Sequence, residues 1–533
     1  MIFLLSFFWY IRTARTLLFA LYIWQIKEYH IGRFFAYLKT TKGKRLFFHP
    51  FIAVKLALLA LWFFEPQIAL ALLLFLYVSE TGLLANALRT KTFILPVVTR
   101  KTAVLIFSVF FVQSIFLAGT LIYFINSLFL ALLLFDVFSL VIGSLVVLIW
   151  QPYTVFERRG VLKKATEKRK KLKNLKVVGI TGSYGKTSTK EFLAHILQKK
   201  FVVLKTPEHK NSEIGITHTI LYNLTDEHEV FVCEMGAYSK GGIKRLTDIA
   251  QPTHGIVTGV NEQHLGVFGS GMNLFSAEGG GELVQSLPQD GALILNDDSK
   301  QLHELGSWLQ LWNPNFTNYV WCSTKTQKDF FAKDIIVTKD ETSFIMIKKG
   351  GEEAKVKLRL IGGYNIENIL LAAAIATKLG MSMKEIEEAL KDIPNEASSM
   401  LLIKGKKGIE ILDSSYSANP TGVFANLEHQ KLWEGKKIVV MPSLIELGSA
   451  SHEVHVKIGR KIGEVCGLAV ITTPDEFSSL LKGAKEKGMK EENMVLLQRP
   501  QEIAQKIFSF TKEGDIVLLE GRVPSSLLSL LKS

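Results

Sequence analysis

Apolar stretches near the amino terminus constrain the fold of this 533-residue chain more than any other feature. Four of them cover residues 49–65, 66–88, 102–124 and 127–150. A helix needs about 20 apolar residues to cross the hydrocarbon core of a bilayer. FEPQ separates the first two stretches and FINS the last two, which indicates tight helical hairpins. The sequence therefore predicts a transmembrane helical region over residues 1–156, with four to five helices.

The first 25 residues leave two interpretations open. They are apolar, but Arg12 and Arg15 lie near their middle, which is costly for a spanning helix. An interfacial helix and a fifth spanning helix both fit this pattern. A cleavable signal peptide is not expected, because no small-residue cleavage site follows and further spans come after.

Several ionisable residues lie in or beside the apolar stretches. Intramembrane charges are functional candidates by default. We expect Lys55 and Glu65 to reach the membrane surface with their charged ends. Asp136, in LLLFDVFSL, is placed more deeply. It would either pair with another charge structurally or contact a substrate.

The formal net charge of +14 is concentrated beside the apolar stretches. Basic segments precede the hairpins (KTTKGKR), separate them (RTKTFILPVVTRK) and follow them in the linker 157–176 (ERRGVLKKATEKRKKLKNLK). The positive-inside rule places all three on the cytoplasmic face, next to anionic lipids. No nucleic-acid partner is expected, because no aromatic-basic interleaving or nucleic-acid motif accompanies the charge. The three cysteines, Cys233, Cys322 and Cys466, form no CxxC pair and fit a structural role in a reducing compartment.

The stretch VVGITGSYGKTSTKE, residues 177–191, predicts a phosphate-binding turn between a strand and a helix. The strict GxxxxGK[ST] pattern fails, because Ile180 stands at its first glycine. Gly182 and Gly185 still let the backbone wrap a phosphate, with Ser183 and Ser188 beside it. Lys186 would neutralise the β and γ oxygens of ATP, and the Thr187 hydroxyl would ligate Mg²⁺.

GITGSYGKTSTKE resembles the ATP-binding turn of the Mur ligase superfamily, and further motifs of that family follow in order. They are NSEIGITHTIL, FVCEMGAYSKGGIKRL, PTHGIVTGVNEQHLGVFGS, LILNDDS, GGYNIENILLAAAIATKLG, ILDSSYSANPTG and SLIELGSASHEVHVKIG. The resemblance covers roughly residues 177–525. The EMGA and YxANP elements are similar to those of the MurF-like branch, which adds D-alanyl-D-alanine to the muramoyl tripeptide.

This resemblance implies a set of site residues. Glu234 and His264 would join Thr187 at the metal, with Lys186, Glu234 and His264 as catalytic residues. Asn365, Asn368 and Asp413 would contact the nucleotide, with Tyr364 retaining stacking on the base. Weaker substrate candidates are Asn211, Tyr416, Asn419 and Arg522.

The reaction implied by the resemblance is an ATP- and Mg²⁺-dependent peptide ligation through an acyl phosphate. The substrates would be a cell-wall precursor and an amino acid or dipeptide that supplies the amine. An alternative is a catalytically impaired ATP-binding scaffold that recruits partner proteins of cell-wall synthesis. An ATP-driven transporter is disfavoured, because four helices are few and no transporter signature is present.

Two departures from the family favour the scaffold alternative. The family's carbamylated lysine has no counterpart in FSAEGGGELVQ, and no lysine lies between Lys244 and Lys300. Glu278 or Glu282 would have to supply the negative charge instead. The family's arginine before the DDSYNANP strand is also absent, with Ser399 near its place and Lys404 the nearest cation.

Domain organisation follows from alternating strand and helix patterns after the linker. We expect a P-loop-type, parallel-sheet ATP-binding domain over 177–396 and a Rossmann-like α/β domain over 397–533, with strands at GIEILD, KIVVM, LAVIT, NMVLL and DIVLLE. No GxGxxG is present, so dinucleotide binding is not supported. The fold class is therefore α/β behind N-terminal transmembrane helices.

The family normally begins with a soluble domain that holds the UDP-sugar, and here apolar helices occupy that place. We therefore expect a multi-pass protein of the bacterial cytoplasmic membrane with its catalytic domains in the cytoplasm. Its acceptor would be membrane-associated, for example lipid-linked, or presented by another protein.

Overall fold

A computed structural model describes the whole chain except residues 1, 28, 30, 40–42, 44–45, 47–49, 91–92, 209, 395–399 and 417 and the side chains of 33, 36, 39, 305 and 525. The chain divides into two compact units, Met1–Arg159 and Gly160–Ser533. The first unit is helical and the second is built on two sheets. Ser399, near the place of the family's arginine, lies outside the described residues, as do parts of the two earlier basic segments.

The first unit is a bundle of apolar helices. Four helical segments of the described chain are long and apolar enough to cross a membrane: Ile2–Ile26, Pro66–Arg89, Arg100–Tyr123 and Ile125–Lys171. The α-helices are α1 (Ile2–Ile26), α2 (Ile31–Lys39), α3 (Pro50–Trp62), α4 (Pro66–Arg89), α5 (Arg100–Tyr123) and α6 (Leu128–Lys171).

One expectation about an individual span is corrected. The stretch 49–65 forms only the 13-residue helix α3, because Pro50 begins it and the turn before Pro66 ends it. At about 1.5 Å per residue, this helix is shorter than the hydrocarbon core. The first 25 residues form the 25-residue helix α1, which is long enough for a span. Length does not separate a spanning helix from an interfacial one, so both interpretations stay predictions.

A cluster of four charges, three of them buried and Arg12 partly buried, joins the helices of this unit. Arg12 Nε lies 2.7 Å from Glu80 Oε1, and Arg12 Nη1 lies 3.2 Å from Asp136 Oδ1. Lys55 Nζ lies 3.0 Å from Glu80 and 2.7 Å from Asp136. Two cations and two anions therefore neutralise each other, which offsets the cost of placing them among apolar side chains.

The positions of Lys55, Asp136 and Glu65 in the structure can be compared with those expected from the sequence. Lys55 does not extend to a surface, as expected from the sequence, because its side chain is only 1% exposed and paired with two acids. Asp136 pairs structurally, which was one of its two interpretations. Glu65 is exposed in the turn before α4.

The second unit begins with a nine-stranded sheet in the order β2-β3-β1-β4-β5-β6-β7-β8-β9. The first seven strands in this order are parallel, and β7, β8 and β9 form an antiparallel edge that the sequence patterns did not indicate. Its strands are β1 (Lys176–Thr181), β2 (Val203–Lys205), β3 (Val230–Glu234), β4 (His254–Val257), β5 (Leu293–Asn296), β6 (Tyr319–Ser323), β7 (Phe330–Val337), β8 (Thr342–Lys348) and β9 (Glu352–Leu358).

Helices cover both faces of this sheet and enclose two apolar cores. The strand order reverses around β1, and open α/β sheets bind ligands beside the carboxyl ends of strands at such a point. The helices are α7 (Lys186–Leu197), α8 (Glu213–His218), α9 (Gly242–Ala250), α10 (Leu265–Phe268), α11 (Gly271–Ala277), α12 (Gly281–Val284), α13 (Lys300–Leu305), α14 (Leu309–Trp312), α15 (Tyr364–Lys378) and α16 (Met383–Lys391).

A second, six-stranded sheet follows in the order β10-β11-β15-β12-β13-β14. All five strands expected from the sequence form in parallel, and β10 adds an antiparallel edge. Its elements are β10 (Leu401–Lys404), β11 (Glu410–Ser414), α17 (Pro420–Gln430), β12 (Lys437–Met441), α18 (Ser451–Val465), β13 (Leu468–Ile471), α19 (Phe477–Glu486), β14 (Met494–Leu496), α20 (Pro500–Phe510), β15 (Ile516–Glu520) and α21 (Ser525–Leu531). The predicted fold class, α/β with mainly parallel sheets behind apolar helices, is confirmed.

The basic segment after the last apolar stretch is helical rather than extended, because α6 continues to Lys171. Residues 160–171 pack on the second unit through Arg169, which is 6% exposed. Its guanidinium donates hydrogen bonds to the carbonyls of Ala250, Gln251, Leu172 and Leu175 at 2.9–3.3 Å. The last turns of this helix therefore pack within the second unit.

Candidate active site

The phosphate-binding turn lies between β1 and α7. Gly185 has a φ of +75°, and a Cβ there would lie 2.5 Å from the Asn368 side-chain oxygen. Gly182 has a φ of +139°, and a Cβ there would overlap the Thr258 hydroxyl. Both positions therefore require glycine. The first-turn N–H groups of α7 have no acceptor within the helix, which is the arrangement that binds phosphate.

Lys186 is the first residue of α7 and folds back over the turn. Its ammonium donates a hydrogen bond to the Gly182 carbonyl. The cation thus lies against the same loop whose backbone would hold a phosphate group. Ser188 follows in the same helical turn and is buried.

One carboxylate reaches the turn from β3. Glu234, at the carboxyl end of this strand, is 5% exposed and accepts a hydrogen bond from the Thr187 hydroxyl at 3.1 Å. Asn211 Nδ2 donates to the same carboxylate at 2.9 Å. Three residues from separate motifs are therefore brought together: Thr187, Asn211 and Glu234.

A second carboxylate reaches the other side of the turn. Glu278 is 1% exposed, and it accepts hydrogen bonds from the Ser183 hydroxyl at 2.6 Å and from His264 Nδ1 at 2.8 Å. Burial by itself would raise the pKa of Glu278. The charges of His264 and Lys186 and the hydrogen bonds from His264 and Ser183 outweigh it and hold this pKa below its ordinary value.

Glu282, the other acid considered for this position, lies elsewhere. Its carboxylate accepts hydrogen bonds from the backbone N–H groups of Gly241 and Lys244 at 2.6 and 2.9 Å. It therefore caps the start of α9. Of the two acids, Glu278 is the one that faces the phosphate-binding turn.

The second sheet contributes the loop after β12 to this site. The carbonyl of Glu446 accepts the Gly266 N–H at 2.7 Å, and Glu446 Oε2 lies 3.9 Å from His264 Nε2. Gly448 has a φ of +58°, and a Cβ there would lie 2.7 Å from the Gly266 Cα. The two backbones therefore touch beside His264, and only glycine allows this approach.

Another contact between the sheets involves Asn419, at the start of α17. Asn261 Nδ2 donates hydrogen bonds to Asn419 Oδ1 and to the Thr421 hydroxyl, each at 3.0 Å. Asn261 follows β4 and was not singled out from the sequence. The two sheets of the second unit thus meet at the carboxyl ends of their strands.

The remaining predicted residues of the second sheet lie near the end of β11 and directly after β11 and β15. Asp413 accepts the Ser415 N–H at 3.0 Å and stabilises the turn before Tyr416. Arg522 is exposed directly after β15. Burial, and then the negative charges of Glu234 and Glu208, raise the pKa of Tyr416, while Arg522 opposes this shift. The negative charge of Glu234 therefore acts on Tyr416, the tyrosine of the YSANP segment.

Both asparagines of α15 are buried, and Asn368 supports the phosphate-binding turn. Asn368 accepts the Thr189 hydroxyl at 3.1 Å, next to Gly185. Asn365 is buried and donates to the Ile361 carbonyl at 2.7 Å. Tyr364 begins the same helix. Nucleotide contacts of these residues stay predictions.

Oxygen ligands suited to Mg²⁺ are present at Thr187 and Glu234. A hydroxyl and a carboxylate next to a phosphate-binding turn are the donors that Mg²⁺ prefers, with waters and phosphate completing its octahedron. His264 Nδ1 pairs with Glu278, and the predicted place of His264 at the metal stays a prediction. Among the described residues, no group of three or more histidines, cysteines or acids forms a closed metal cage. The donor set therefore fits a metal that is held partly by nucleotide.

Residues 180–376 match the family of Mur ligase middle domains. A UDP-N-acetylmuramoyl-tripeptide–D-alanyl-D-alanine ligase of Bacillus subtilis is 26% identical over 364 residues, 67% of this chain and 75% of that protein. The enzyme of that name from Escherichia coli is 32% identical over 286 residues, 53% of this chain and 61% of its own length. The chain thus spans between about three fifths and three quarters of these relatives.

Solved structures show the same fold. MurF ligase from Thermotoga maritima in complex with ADP is 26% identical, with a TM-score of 0.57 over 68% of this chain and 80% of that one. MurF from Acinetobacter baumannii has a TM-score of 0.62 at 24% identity, over 70% of this chain and 79% of that one.

Proposed function

We propose that this protein is an ATP-dependent ligase that forms an amide bond on a peptidoglycan-type precursor, because residues 180–376 match the family of Mur ligase middle domains and the relatives and structures similar to the chain are ligases of this kind. The observation that carries the proposal is the phosphate-binding turn held between two carboxylates, Glu234 and Glu278. The relatives in Bacillus subtilis and Escherichia coli suggest a muramoyl peptide as acceptor and D-alanyl-D-alanine as amine.

The proposed reaction has two steps. A carboxylate oxygen of the acceptor attacks the γ-phosphorus of ATP, and the bond to the β-phosphate oxygen breaks to release ADP. The amine nitrogen then attacks the acyl carbon, phosphate leaves, and the nitrogen loses a proton. Both steps need positioning and neutralisation of phosphate charge more than covalent help from the protein.

Lys186 and the first turn of α7 would neutralise and orient the transferred phosphoryl group. Thr187 and Glu234 would hold Mg²⁺, which supplies further charge neutralisation when bound. In this proposal Glu278 provides the carboxylate that a carbamylated lysine provides in the family. Its support is the direct contact with Ser183 and His264 on the turn.

The acceptor is proposed to be membrane-associated, such as a lipid-linked muropeptide. In this chain, apolar helices long enough to span a bilayer stand where the family has a UDP-sugar domain. Basic segments beside them favour a cytoplasmic orientation next to anionic lipids. The protein would thus act at the cytoplasmic face of the bacterial inner membrane.

A non-catalytic ATP-binding scaffold that recruits cell-wall enzymes is the second candidate. The absence of any lysine between Lys244 and Lys300 favours it, because the family's carbamylated lysine then has no counterpart. The contacts of Lys186, Glu234 and Glu278 around the turn favour the ligase.

Phosphate release separates the two candidates. The full-length chain is incubated with ATP, Mg²⁺ and muropeptide acceptors, with and without D-alanyl-D-alanine. A ligase releases phosphate only when the amine is present, whereas a scaffold binds ATP without releasing phosphate.

Replacing Lys186 by alanine is expected to lower amine-dependent release about 100-fold or more, because the phosphoryl charge loses its nearest cation. The matched control is Lys199→Ala, since Lys199 is exposed just after the end of the same helix and its only ion pair among the described residues is with Asp392. Unchanged release in Lys186→Ala would refute the assignment of the turn.

A further inference from the structure

Lys190 is a buried cation directly behind the proposed metal ligands. Its side chain is 0% exposed, and its Nζ lies 3.4 Å from Glu234 Oε2 and 3.2 Å from Glu191 Oε1. It stands one turn after Lys186 on α7. Lysine is almost never fully buried without a paired charge, so its position requires these two acids.

The pairing of Lys190 is electrostatic rather than a directed hydrogen bond. Its Nζ makes no hydrogen bond to any of the described residues. Glu191 is shared with the more exposed Lys205, so charges alternate from Lys205 through Glu191 and Lys190 to Glu234. Lys205 offsets the charge of Glu191, which leaves Lys190 as the cation that balances Glu234.

Orientation of the Glu234 carboxylate does not depend on Lys190. The Thr187 hydroxyl and Asn211 Nδ2 already hold its two oxygens at 3.1 and 2.9 Å. What Lys190 adds is a positive charge next to a buried carboxylate. A divalent cation at Glu234 would add positive charge at the same place, so Lys190 and the metal oppose each other.

We propose that Lys190 is a resident counter-ion that neutralises Glu234 whenever no divalent metal is bound and weakens metal binding when one arrives. This inference rests on the proposed role of Glu234 as a metal ligand. The site then stays folded between turnovers, and the metal leaves with ADP instead of remaining on the protein. In this scheme Lys190 acts through the charge of Glu234 and not directly on the nucleotide or the metal.

The test compares Lys190→Met with the unmodified full-length chain in detergent, using Mn²⁺ as the probe in the presence of ADP. Without metal, Lys190→Met should melt several degrees lower, because Glu234 is left buried and unpaired. On addition of Mn²⁺, the melting temperature of Lys190→Met should rise more than that of the unmodified chain. The Mn²⁺ concentration that half-saturates this variant, measured by calorimetry, should be about tenfold lower. The reason is that one neighbouring unit charge changes the affinity of a carboxylate for a cation by about tenfold or more.

Matched variants make the result specific. Lys200→Met removes a lysine whose ion pair with Glu385, at 3.1 Å, is exposed, and it should change neither quantity. Lys190→Arg keeps the charge and should bind Mn²⁺ like the unmodified chain. The double variant Lys190→Met/Glu234→Gln removes both charges, so its metal-free melting temperature should exceed that of Lys190→Met.

Two outcomes separate failure of this inference from failure of the proposed function. If Glu234→Gln abolishes Mn²⁺ binding but Lys190→Met binds Mn²⁺ with unchanged affinity, the counter-ion role is refuted and the metal role survives. If Glu234→Gln binds Mn²⁺ as tightly as the unmodified chain, the proposed metal site itself is refuted. Should Lys190→Met fail to fold, a double variant that is no more stable also refutes the counter-ion role.

Discussion

At the scale of single residues, Glu278 decides whether this site can work without a lysine in FSAEGGGELVQ. Its carboxylate lies beside Ser183 and His264, and the low pKa keeps it charged at neutral pH. A fixed negative charge there needs no carbamylation. The neighbouring Glu282 has the same chemistry but binds backbone N–H groups of α9.

Glu278→Gln should therefore lower kcat about 100-fold with little change in melting temperature, because it removes charge but keeps volume. Glu282→Gln should show the converse: a loss of about 1 kcal/mol in stability from the weakened helix cap, with kcat nearly unchanged. Phosphate-release kinetics and thermal melting of both variants measure this contrast. Equal kcat in the two variants would contradict the role of Glu278.

Another single residue, Glu520, couples stability to pH. It is buried at the end of β15, and Asn426 Nδ2 donates to its carboxylate at 2.7 Å. Burial raises the pKa of Glu520 to about 8, although hydrogen bonds from Asn426 and Ser414 oppose the shift. The folded protein therefore holds this proton at pH values at which the unfolded chain has lost it.

The sign follows from proton binding. Between the ordinary pKa of 4.5 and the folded value of about 8, the folded state binds more protons, so stability falls as pH rises through this window. Glu520→Gln cannot ionise, so its stability should not fall in this window. Between pH 5 and pH 8, its free energy of unfolding relative to that of the unmodified chain should increase by roughly a few kcal/mol, measured as a rising difference in melting temperature. A difference that is the same at both pH values would contradict the raised pKa.

At the scale of elements, the loop after β12 and the start of α10 meet backbone to backbone. Gly448→Ala should lower both melting temperature and kcat, because its Cβ would meet the Gly266 Cα and displace the loop from His264. Gly488→Ala is the matched control: its φ of +87° carries a similar backbone penalty of about 1 kcal/mol, but nothing lies within 4 Å of its Cβ.

The difference in kcat and melting temperature between these two glycine variants measures the effect of the contact between the two sheets, because both variants share the backbone penalty. Gly488→Ala should lose stability alone and keep its kcat. If Gly448→Ala loses no more activity than Gly488→Ala, the loop does not help to form the site.

At the scale of the whole molecule, the apolar helices raise the question of which acceptor the ligase unit uses. The second unit, Gly160–Ser533, is compact by itself and contains every residue of the candidate site. We expect the full-length chain in lipid vesicles to use a lipid-linked muropeptide at least about tenfold better than soluble UDP-muramoyl peptide, measured as kcat/KM. Efficient turnover of the soluble precursor by the isolated fragment 160–533 would contradict a membrane-associated acceptor.

Local sequence determined the elements of this protein, because strand and helix patterns and a glycine turn are short-range properties. The five parallel strands of the six-stranded second sheet and the turn of Gly182 and Gly185 were predictable from residues within a few positions of each other. The order of motifs predicted the Mur ligase resemblance, and residues 180–376 match the family of Mur ligase middle domains. The apolar stretches predicted a helical first unit, although not which helices reach spanning length.

Tertiary structure alone decided which charges face each other. Lys55 was expected at a surface, but it pairs with Glu80 and Asp136 from two other helices. Nothing in the sequence indicated that Lys190 is buried, because its partner Glu234 lies on a strand distant in sequence. Likewise, Glu278 and Glu282 differ by four positions in sequence, and only packing turns one to the phosphate-binding turn and the other to a helix cap. Ion pairs depend on long-range folding, whereas hydrophobic periodicity and turns do not.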